Sequence, residues 1–382
     1  MKVLHIFSGY GGGISSFIRN QASTISEEFL FDVMSFTDYP DDFKAIIARN
    51  GGRCFTMPRK ATVGYYGMAK WVYVEIKKNK PYDRVVCHID GHYSILFRFI
   101  CRLQGLKDFI IHAHKAGDDK GSKGFRSRMM RHVDRLINNL VSTSKASCSA
   151  KASDFIFGTR DKVTHIPNSI DFERFQHGRT LRNELGIGPD EFVIGSIARF
   201  YYQKNHPFMI EILKELKERQ LPFKMVFAGE GESRQKIEDL VKENELEDYV
   251  HFLGRIDRVE DVFETIDLLL LPSFYEGLPT VVVEAQGTCT PVLLSDTITR
   301  EVDCGLNLLT YLPIDCSGKW VENILSIMEN SKISKKLGAQ TLHQALHQNG
   351  FTNESSSLIY EGFLRGEIRE YVIGEKIMRT EA

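Results

Sequence analysis

The sequence predicts an α/β protein of two consecutive units, each a parallel sheet covered by helices. Three observations carry this expectation. Short apolar runs recur from Lys2 to Leu294 and alternate with segments of helical spacing. The alternation is interrupted once, by a stretch rich in proline, glycine and charge that follows Ile166. The 382 residues, 42% hydrophobic and 26% charged, suffice for two sizeable cores.

Composition also limits function. A formal net charge of −1 lacks the basic surplus that a nucleic-acid footprint requires, so no nucleic-acid partner is expected. The seven cysteines are odd in number and contain no C-x-x-C pair, which suggests neither a disulfide framework nor a zinc ribbon and fits a reducing compartment. The N-terminal Met1–Ser8 turns glycine-rich after one strand length, unlike a signal peptide. No apolar run reaches the ~18 residues of a membrane span. The expected location is cytoplasmic.

In the first unit, Lys2–Phe7 reads as a buried strand, followed by Gly9-Tyr-Gly-Gly12-Gly13-Ile and a helical Ser15–Ala22. Glycines between a first strand and a helix let backbone approach a ligand. The G-x-G-x-x-G dinucleotide pattern lacks its third glycine here, so the loop reads as a general ligand loop or a tight turn. Phe31–Phe36, Arg53–Met57, Arg84–His88 and Phe109–His112 supply further strands, separated by segments such as the helical Tyr66–Lys78. Val133–Thr143 and Lys162–Ile166 are expected as strands, with Lys145–Phe157 helical between them. This unit is assigned residues 1–167.

The second unit, residues 168–354, repeats the alternation. Its strands are Phe192–Ile197, Lys224–Ala228, Val250–Leu253 and Pro291–Leu294, and its helices Pro207–Arg219, Ser233–Glu243 and Val259–Thr265. From Lys319 to about Arg369 the chain reads as consecutive helices. The stretch Ser273–Glu284 presents a conflict, because Thr280–Val283 are β-branched and favour a strand. A strand there would leave no crossover between Leu268–Leu271 and the apolar run at Pro291, so a short buried helix is expected, with Pro279 at its first position.

Chemistry concentrates where strands end. Arg199 and Lys204 lie between a strand and a helix, and two cations at that spacing can neutralise a diphosphate, although they could equally be solvated surface charges. Gly229 and Gly231 follow the next strand and offer backbone N–H groups. Glu276 and Glu284 flank the Gly277-Leu278-Pro279 turn of a third strand–helix junction. Three strand ends of one sheet would thus converge on the crevice where open α/β sheets bind ligands. No Asp-x-Asp pair is present to hold a metal on a sugar nucleotide. Arg199, Lys204 and the helix N-terminus near Gly277 would supply that electrostatic stabilisation.

The first unit carries His112-Ala-His114-Lys115 after one strand and His88-Ile-Asp90-Gly-His92 after the strand before it. Histidines at i and i+2 suit a metal, yet no third ligand lies at usable sequence spacing, so no metal is expected. Substrate contact by His112 or His114, or plain hydrogen-bonded surface histidines, remain. Lys120–Arg135 holds Lys123, Arg126 and Arg128 among six cations against one acid, with Phe125, Met129 and Met130 interleaved. Such a run is either a solvated helix face or an attachment to an anionic membrane surface or a phosphate-bearing acceptor.

Taken together, Glu276-x7-Glu284, Arg199 with Lys204-Asn205, Ile166-Pro-Asn-Ser and the early Gly-Gly resemble the retaining GT-B glycosyltransferases of family 4. Ile110-Ile-His-Ala-His, Leu271-Pro-Ser-Phe-Tyr-Glu-Gly-Leu-Pro, Glu284-Ala-Gln and Leu294-Ser-Asp-Thr-Ile-Thr-Arg-Glu-Val are similar to the bacterial capsule and exopolysaccharide branch. The resemblance implies two Rossmann-like domains facing a central cleft, with a C-terminal helix, about 355–382, packing back on the first. It implies donor contacts from Gly12, Gly13, Arg199, Lys204, Gly229, Gly277 and Leu278, with Glu284 on the ribose, Glu276 on the transferred sugar and His112 near the reacting carbon. No cofactor or essential metal is implied. Two departures stand out: Cys289 replaces a common glycine, and Lys115 a common asparagine.

The expected activity is retaining transfer of a hexose or N-acetylhexosamine, from a UDP-sugar, to a polyprenyl-diphosphate-linked glycan at the inner membrane face. Two alternatives stay open: a soluble nucleotide-sugar hydrolase or small-acceptor synthase, and a non-catalytic nucleotide-sugar-binding partner of a transferase.

Overall fold

The computed structural model describes residues 1–117, 125–331 and 337–368. The chain forms two compact units, one of Met1–Ile170 joined by the chain from Asn349 onward, the other of Asp171–Gln348. Residues 168–170 and 349–354 therefore belong with the first unit.

The first unit runs β1 (Lys2–Ile6), α1 (Gly13–Thr24), β2 (Leu30–Ser35), α2 (Asp41–Arg49), β3 (Cys54–Thr56), α3 (Lys60–Asn79) and β4 (Arg84–Cys87). It continues through α4 (His92–Leu103), β5 (Phe109–Ala113), α5 (Phe125–Val141), β6 (Ser144–Ser147), α6 (Ala150–Ile156) and β7 (Val163–His165). Its seven strands pair in parallel in the order β3-β2-β1-β4-β5-β6-β7. The order reverses between β1 and β4, so the loops leaving these two strands diverge and open a crevice at their C-terminal ends.

The second unit comprises α7 (Phe172–Phe175), β8 (Phe192–Ile197), α8 (His206–Glu218), β9 (Phe223–Ala228), α9 (Arg234–Glu243), β10 (Val250–Gly254) and α10 (Val259–Thr265). There follow β11 (Leu268–Leu271), α11 (Thr280–Gly287), β12 (Val292–Ser295), β13 (Leu309–Leu312), α12 (Ser317–Ser331) and α13 (Ala339–Gln348). Six parallel strands lie in the order β10-β9-β8-β11-β12-β13, with the reversal between β8 and β11. Helices cover both faces, which is why β11 can be four leucines, all essentially inaccessible.

The last described helix, α14 (Asn353–Arg365), belongs to the first unit and packs on α1. Its polar face is matched to α1: Gln21 donates to Ser356 at 2.7 Å, and Thr24 and Ser357 share a hydrogen bond of 2.6 Å. On the same face Tyr360 is completely buried, its ring 5.4 Å from that of Phe17 in α1. The helix expected over about 355–382 thus ends at Arg365 among the described residues.

Three sequence expectations about elements are corrected. Val133–Thr143 is not a strand; through Val141 it is the second half of α5. Met129, Val133, Leu136 and Leu140 recur at intervals of three and four, a helical stripe that the local content of Val, Ile and Leu disguised. The buried Thr280–Val283 run is helical as tertiary context demanded, but Pro279 is the N-cap residue and Thr280 the first helical one. The helix expected over Lys145–Phe157 is also shortened, because its start is strand β6 (Ser144–Ser147) and α6 begins at Ala150; β13 has no counterpart among the expected strands.

Candidate functional site

In the second unit the loops leaving β8 and β11 are joined. Phe274 N–H donates to the Gln203 carbonyl at 2.9 Å, and the rings of Tyr202 and Phe274 stack 4.8 Å apart. This places Lys204 Nζ 2.6 Å from Glu276 Oε1, while Gln203 Nε2 donates to Glu276 Oε2 and to the Tyr275 carbonyl, both at 2.9 Å. The Glu276 carboxylate is buried and both of its oxygens are oriented by the facing loop. Gln203 was missed by sequence reasoning; nothing marks it there except adjacency to Lys204.

Arg199, five residues earlier, is placed differently. Its side chain is exposed, its guanidinium lies 4.7 Å from the Tyr201 ring centre, and it has no ion pair among the described residues. Of the two cations singled out, Lys204 is neutralised within the protein and Arg199 carries net charge at the strand ends.

Gly229 has a packing role. Its φ of +145° is hostile to other residues, and a Cβ there would lie 2.0 Å from the Ala198 carbonyl oxygen. A Cβ on Gly231 would likewise lie 2.5 Å from the Phe200 carbonyl oxygen. These glycines let the β9 exit press against the segment leading to Arg199. The expected offer of the Gly229 N–H to a ligand is corrected, since that group donates to the Gly254 carbonyl at 2.7 Å.

Gly277 and Leu278 are buried in the turn that leads into α11. Within α11, Glu284 is half-buried, and the loss of hydration around its carboxyl pushes it up to about 7, with nearby Arg174 pulling it down and Glu260 pushing it up. Arg174 itself pairs with Glu260 at 2.8 Å. The helix closes in a Schellman turn: Cys289 N–H donates to Gln286 at 3.2 Å and Thr290 N–H to Ala285 at 2.8 Å. Cys289 holds the left-handed position of that turn at φ 57°, the conformation a glycine adopts without strain.

In the first unit Gly12 caps α1 and Gly13 begins it, with both the Gly11 and Gly12 N–H groups donating to Ser15 Oγ at 3.0 Å. A Cβ on Gly13 would meet nothing within 4 Å, so the backbone there borders open space.

The sheet order sets β1, β4 and β5 side by side, and this gathers four histidines that the sequence scatters. His5 Nδ1 lies 3.1 Å from His88 Nε2, and His88 Nδ1 lies 2.9 Å from His114 Nε2. The His112 ring is 4.1 Å from that of His114 and meets Phe17 edge-on at 4.8 Å. Burial holds all four imidazoles neutral: His5 and His114 are lowered to about 3, His88 and His112 well below the ordinary value. Among the described residues neither ring nitrogen of His112 has a hydrogen-bond partner, nor does His114 Nδ1. The sequence offers no third ligand at usable spacing, because His88 joins His112 and His114 across the sheet rather than along the chain.

On α5, Arg126 and Arg128 are exposed, together with Met129, Met130, Val133, Leu136 and Leu140. Lys123 lies outside the described residues. No helix among the described residues is long and apolar enough to cross a membrane.

Comparison with known proteins places this geometry. Residues 178–342 match the family "Glycosyl transferases group 1". The chain is 31% identical over 354 residues to EpsF of Bacillus subtilis (strain 168), a protein provisionally named as a glycosyltransferase, covering 90% of this chain and 92% of that one. It is 25% identical over 283 residues to the UDP-Gal:alpha-D-GlcNAc-diphosphoundecaprenol alpha-1,3-galactosyltransferase of Escherichia coli, covering 68% of each. Among solved structures, Anabaena HepE in complex with UDP and glucose superposes with a TM-score of 0.77 at 17% identity, over 96% of this chain and 100% of that one. The two Rossmann-like parallel sheets are those of a GT-B fold, and the chain belongs to the group 1 glycosyl transferases.

Proposed function

We propose that this glycosyltransferase moves a hexose or N-acetylhexosamine from a UDP-sugar to a polyprenyl-diphosphate-linked glycan, with retention, in capsule or exopolysaccharide synthesis. One observation carries the donor part: an exposed Arg199 on the same β8 exit loop whose Lys204 and Gln203 hold the Glu276 carboxylate on both oxygens. An unpaired guanidinium suits a diphosphate, and a buried, oriented carboxylate suits the hydroxyls of the transferred sugar. The Escherichia coli relative, named for transfer from UDP-Gal to a diphosphoundecaprenol glycan, supports the choice of donor and acceptor class.

In this scheme Arg199 and the N-terminus of α11 stabilise the charge that grows on the departing diphosphate, and Lys204 serves the donor through the Glu276 carboxylate it holds. Gly12 and Gly13 border the phosphates, while Gly229, Gly277 and Leu278 shape the donor loops. Glu284 accepts from the ribose hydroxyls, and His112 contacts the sugar near its reacting carbon. No metal bridges the diphosphate. The acceptor hydroxyl attacks on the face the diphosphate leaves, and a diphosphate oxygen takes its proton. The basic, apolar face of α5 lies against an anionic membrane surface, holding a cytoplasmic enzyme at the inner face where its lipid-linked acceptor resides.

The test is incubation of the purified chain with a panel of nucleotide sugars and a synthetic polyprenyl-diphosphate glycan, with the product read by mass spectrometry and the new anomeric centre by NMR. A glycosyl product with the donor's configuration supports the proposal. Free sugar or inverted product, or donor turnover that ignores the lipid acceptor in favour of small ones, overturns it.

A further inference from the structure

We propose that His88, His112 and His114 bind a divalent transition-metal ion of the zinc class in the first unit. Among the described residues this is the one group of three metal-ligating side chains whose candidate ligand atoms all lie within 4.8 Å of one another. His88 comes from the end of β4 and the other two from the end of β5, so adjacent strands of a rigid sheet set the spacing.

Three features point to a metal rather than to packed aromatic rings. His112 is only 1% exposed, yet among the described residues both of its ring nitrogens lack partners, as does His114 Nδ1. A buried nitrogen without a partner destabilises a core, and one nitrogen of His112 is free to ligate an ion held between His88 Nδ1 and His114 Nε2. The distances fit as well. His88 Nδ1 and His114 Nε2 lie 2.9 Å apart. Two imidazoles on one tetrahedral zinc, each at about 2.0–2.1 Å, are separated by about 3.3 Å, so a small outward rotation of the rings admits the ion.

The outer shell is the third feature. A ligating histidine uses its second nitrogen to donate a hydrogen bond that orients the ring. His88 Nε2 lies 3.1 Å from His5 Nδ1, and His5 Nε2 in turn lies 3.5 Å from the Tyr360 hydroxyl. With the proton of His88 on Nε2, its Nδ1 lone pair is turned toward His114. Both outer partners are fully buried, and Tyr360 belongs to α14, so the returning C-terminal segment backs the site.

The donor set selects the metal. Three neutral imidazoles suit zinc, and cobalt in its place, whereas magnesium and calcium require oxygen ligands. His112 has two nitrogens, so one can ligate the ion while the other still meets substrate. The ion fixes the end of β5 and is separate from the metal-free diphosphate chemistry proposed above; its presence is read without substrate, independently of that proposal.

The experiment uses the full chain, purified without a histidine tag. Elemental analysis is expected to give about one equivalent of zinc per chain, removed by a strong chelator. Returning zinc to the stripped protein should raise its melting temperature by several degrees, and magnesium should not. Cobalt should give the intense visible bands of a tetrahedral site, a readout that needs no variant. His88→Gln and His112→Gln should each lower zinc content at least tenfold. Less than a tenth of an equivalent together with no cobalt spectrum and no thermal shift overturns the proposal. So does full zinc content in both variants.

Discussion

Lys204 Nζ and Glu276 Oε1 form a 2.6 Å ion pair whose side chains are only 18% and 8% exposed. The pair joins the exits of β8 and β11, so a single contact positions a carboxylate and removes the cation's net charge before any donor arrives. Glu276→Gln keeps the shape but forfeits the ionic acceptor and leaves Lys204 without its partner. We expect kcat/KM to fall by about 10²–10³, with a stability loss of about 1–3 kcal/mol. Steady-state kinetics beside thermal denaturation separate the two effects. Wild-type turnover in the folded variant would remove Glu276 from the site.

Glu284 makes the enzyme sensitive to pH near neutrality, because its carboxyl is pushed up to about 7 by burial. The folded pKa lies above the unfolded one, about 4.3. The folded chain therefore holds this proton between those values when the unfolded chain does not, and stability from this group is present below the unfolded pKa and is lost as pH rises toward 7. With the ribose contact proposed for Glu284, ligand binding runs the opposite way, since the ionised form is the better acceptor for hydroxyls. UDP affinity is expected to rise from pH 6 to pH 8, and Glu284→Gln to flatten both profiles. Calorimetric titration with UDP at several pH values measures this; an unchanged slope in the variant would show that another group titrates.

The alternation of strands and helices was legible because parallel sheets covered on both faces leave continuous apolar runs, as at Leu268–Leu271. The helix at Thr280–Gly287 was legible only by topology, against propensity. Glu276 and Lys204 could be named from their strand ends, but their ion pair and the part of Gln203 in it depend on two loops that meet in space. The histidine cluster was hidden for the same reason. His5, His88 and His112 lie far apart in sequence and become neighbours only through the order β1-β4-β5. Gly229 shows the opposite failure: a glycine after a strand suggested a ligand, whereas close approach of the Ala198 carbonyl explains it.

Cys289 departs from the glycine common in the resembling family yet keeps that residue's backbone, at φ 57°. A non-glycine residue in the left-handed region is strained by about 1–2 kcal/mol. Because the Schellman hydrogen bonds to Gln286 and Ala285 are intact, the strain is local and Cys289→Gly should relieve it without moving Glu284. A stability gain of about 1 kcal/mol is expected, a rise of about 2–4 °C in melting temperature. Cys289→Ala should give no such gain, because alanine retains the Cβ. Equal effects of the two would locate the strain in the thiol instead.

The α5 helix exposes Leu136 at 62% and Leu140 at 85%, unusual values for leucines, on the same element as the exposed Arg126 and Arg128. Its neighbour α4 adds Phe99 and Leu103, 58% and 59% exposed. A solvated helix face would not gather apolar side chains with cations in this way, whereas an interfacial helix needs both. Arg126→Glu with Arg128→Glu tests the charges, and Leu136→Ser with Leu140→Ser tests the apolar stripe. Each cation near an anionic surface contributes about 1 kcal/mol, roughly fivefold in affinity, so neutralising two lowers vesicle binding by about 25-fold and reversing them by more. Flotation with anionic vesicles reads this, and rising salt should weaken the wild type but scarcely affect what remains in the arginine variant. Binding equal to wild type in both variants would detach α5 from the membrane. Loss in the arginine variant alone would instead make the contact purely electrostatic, leaving the exposed leucines to be explained by a protein partner.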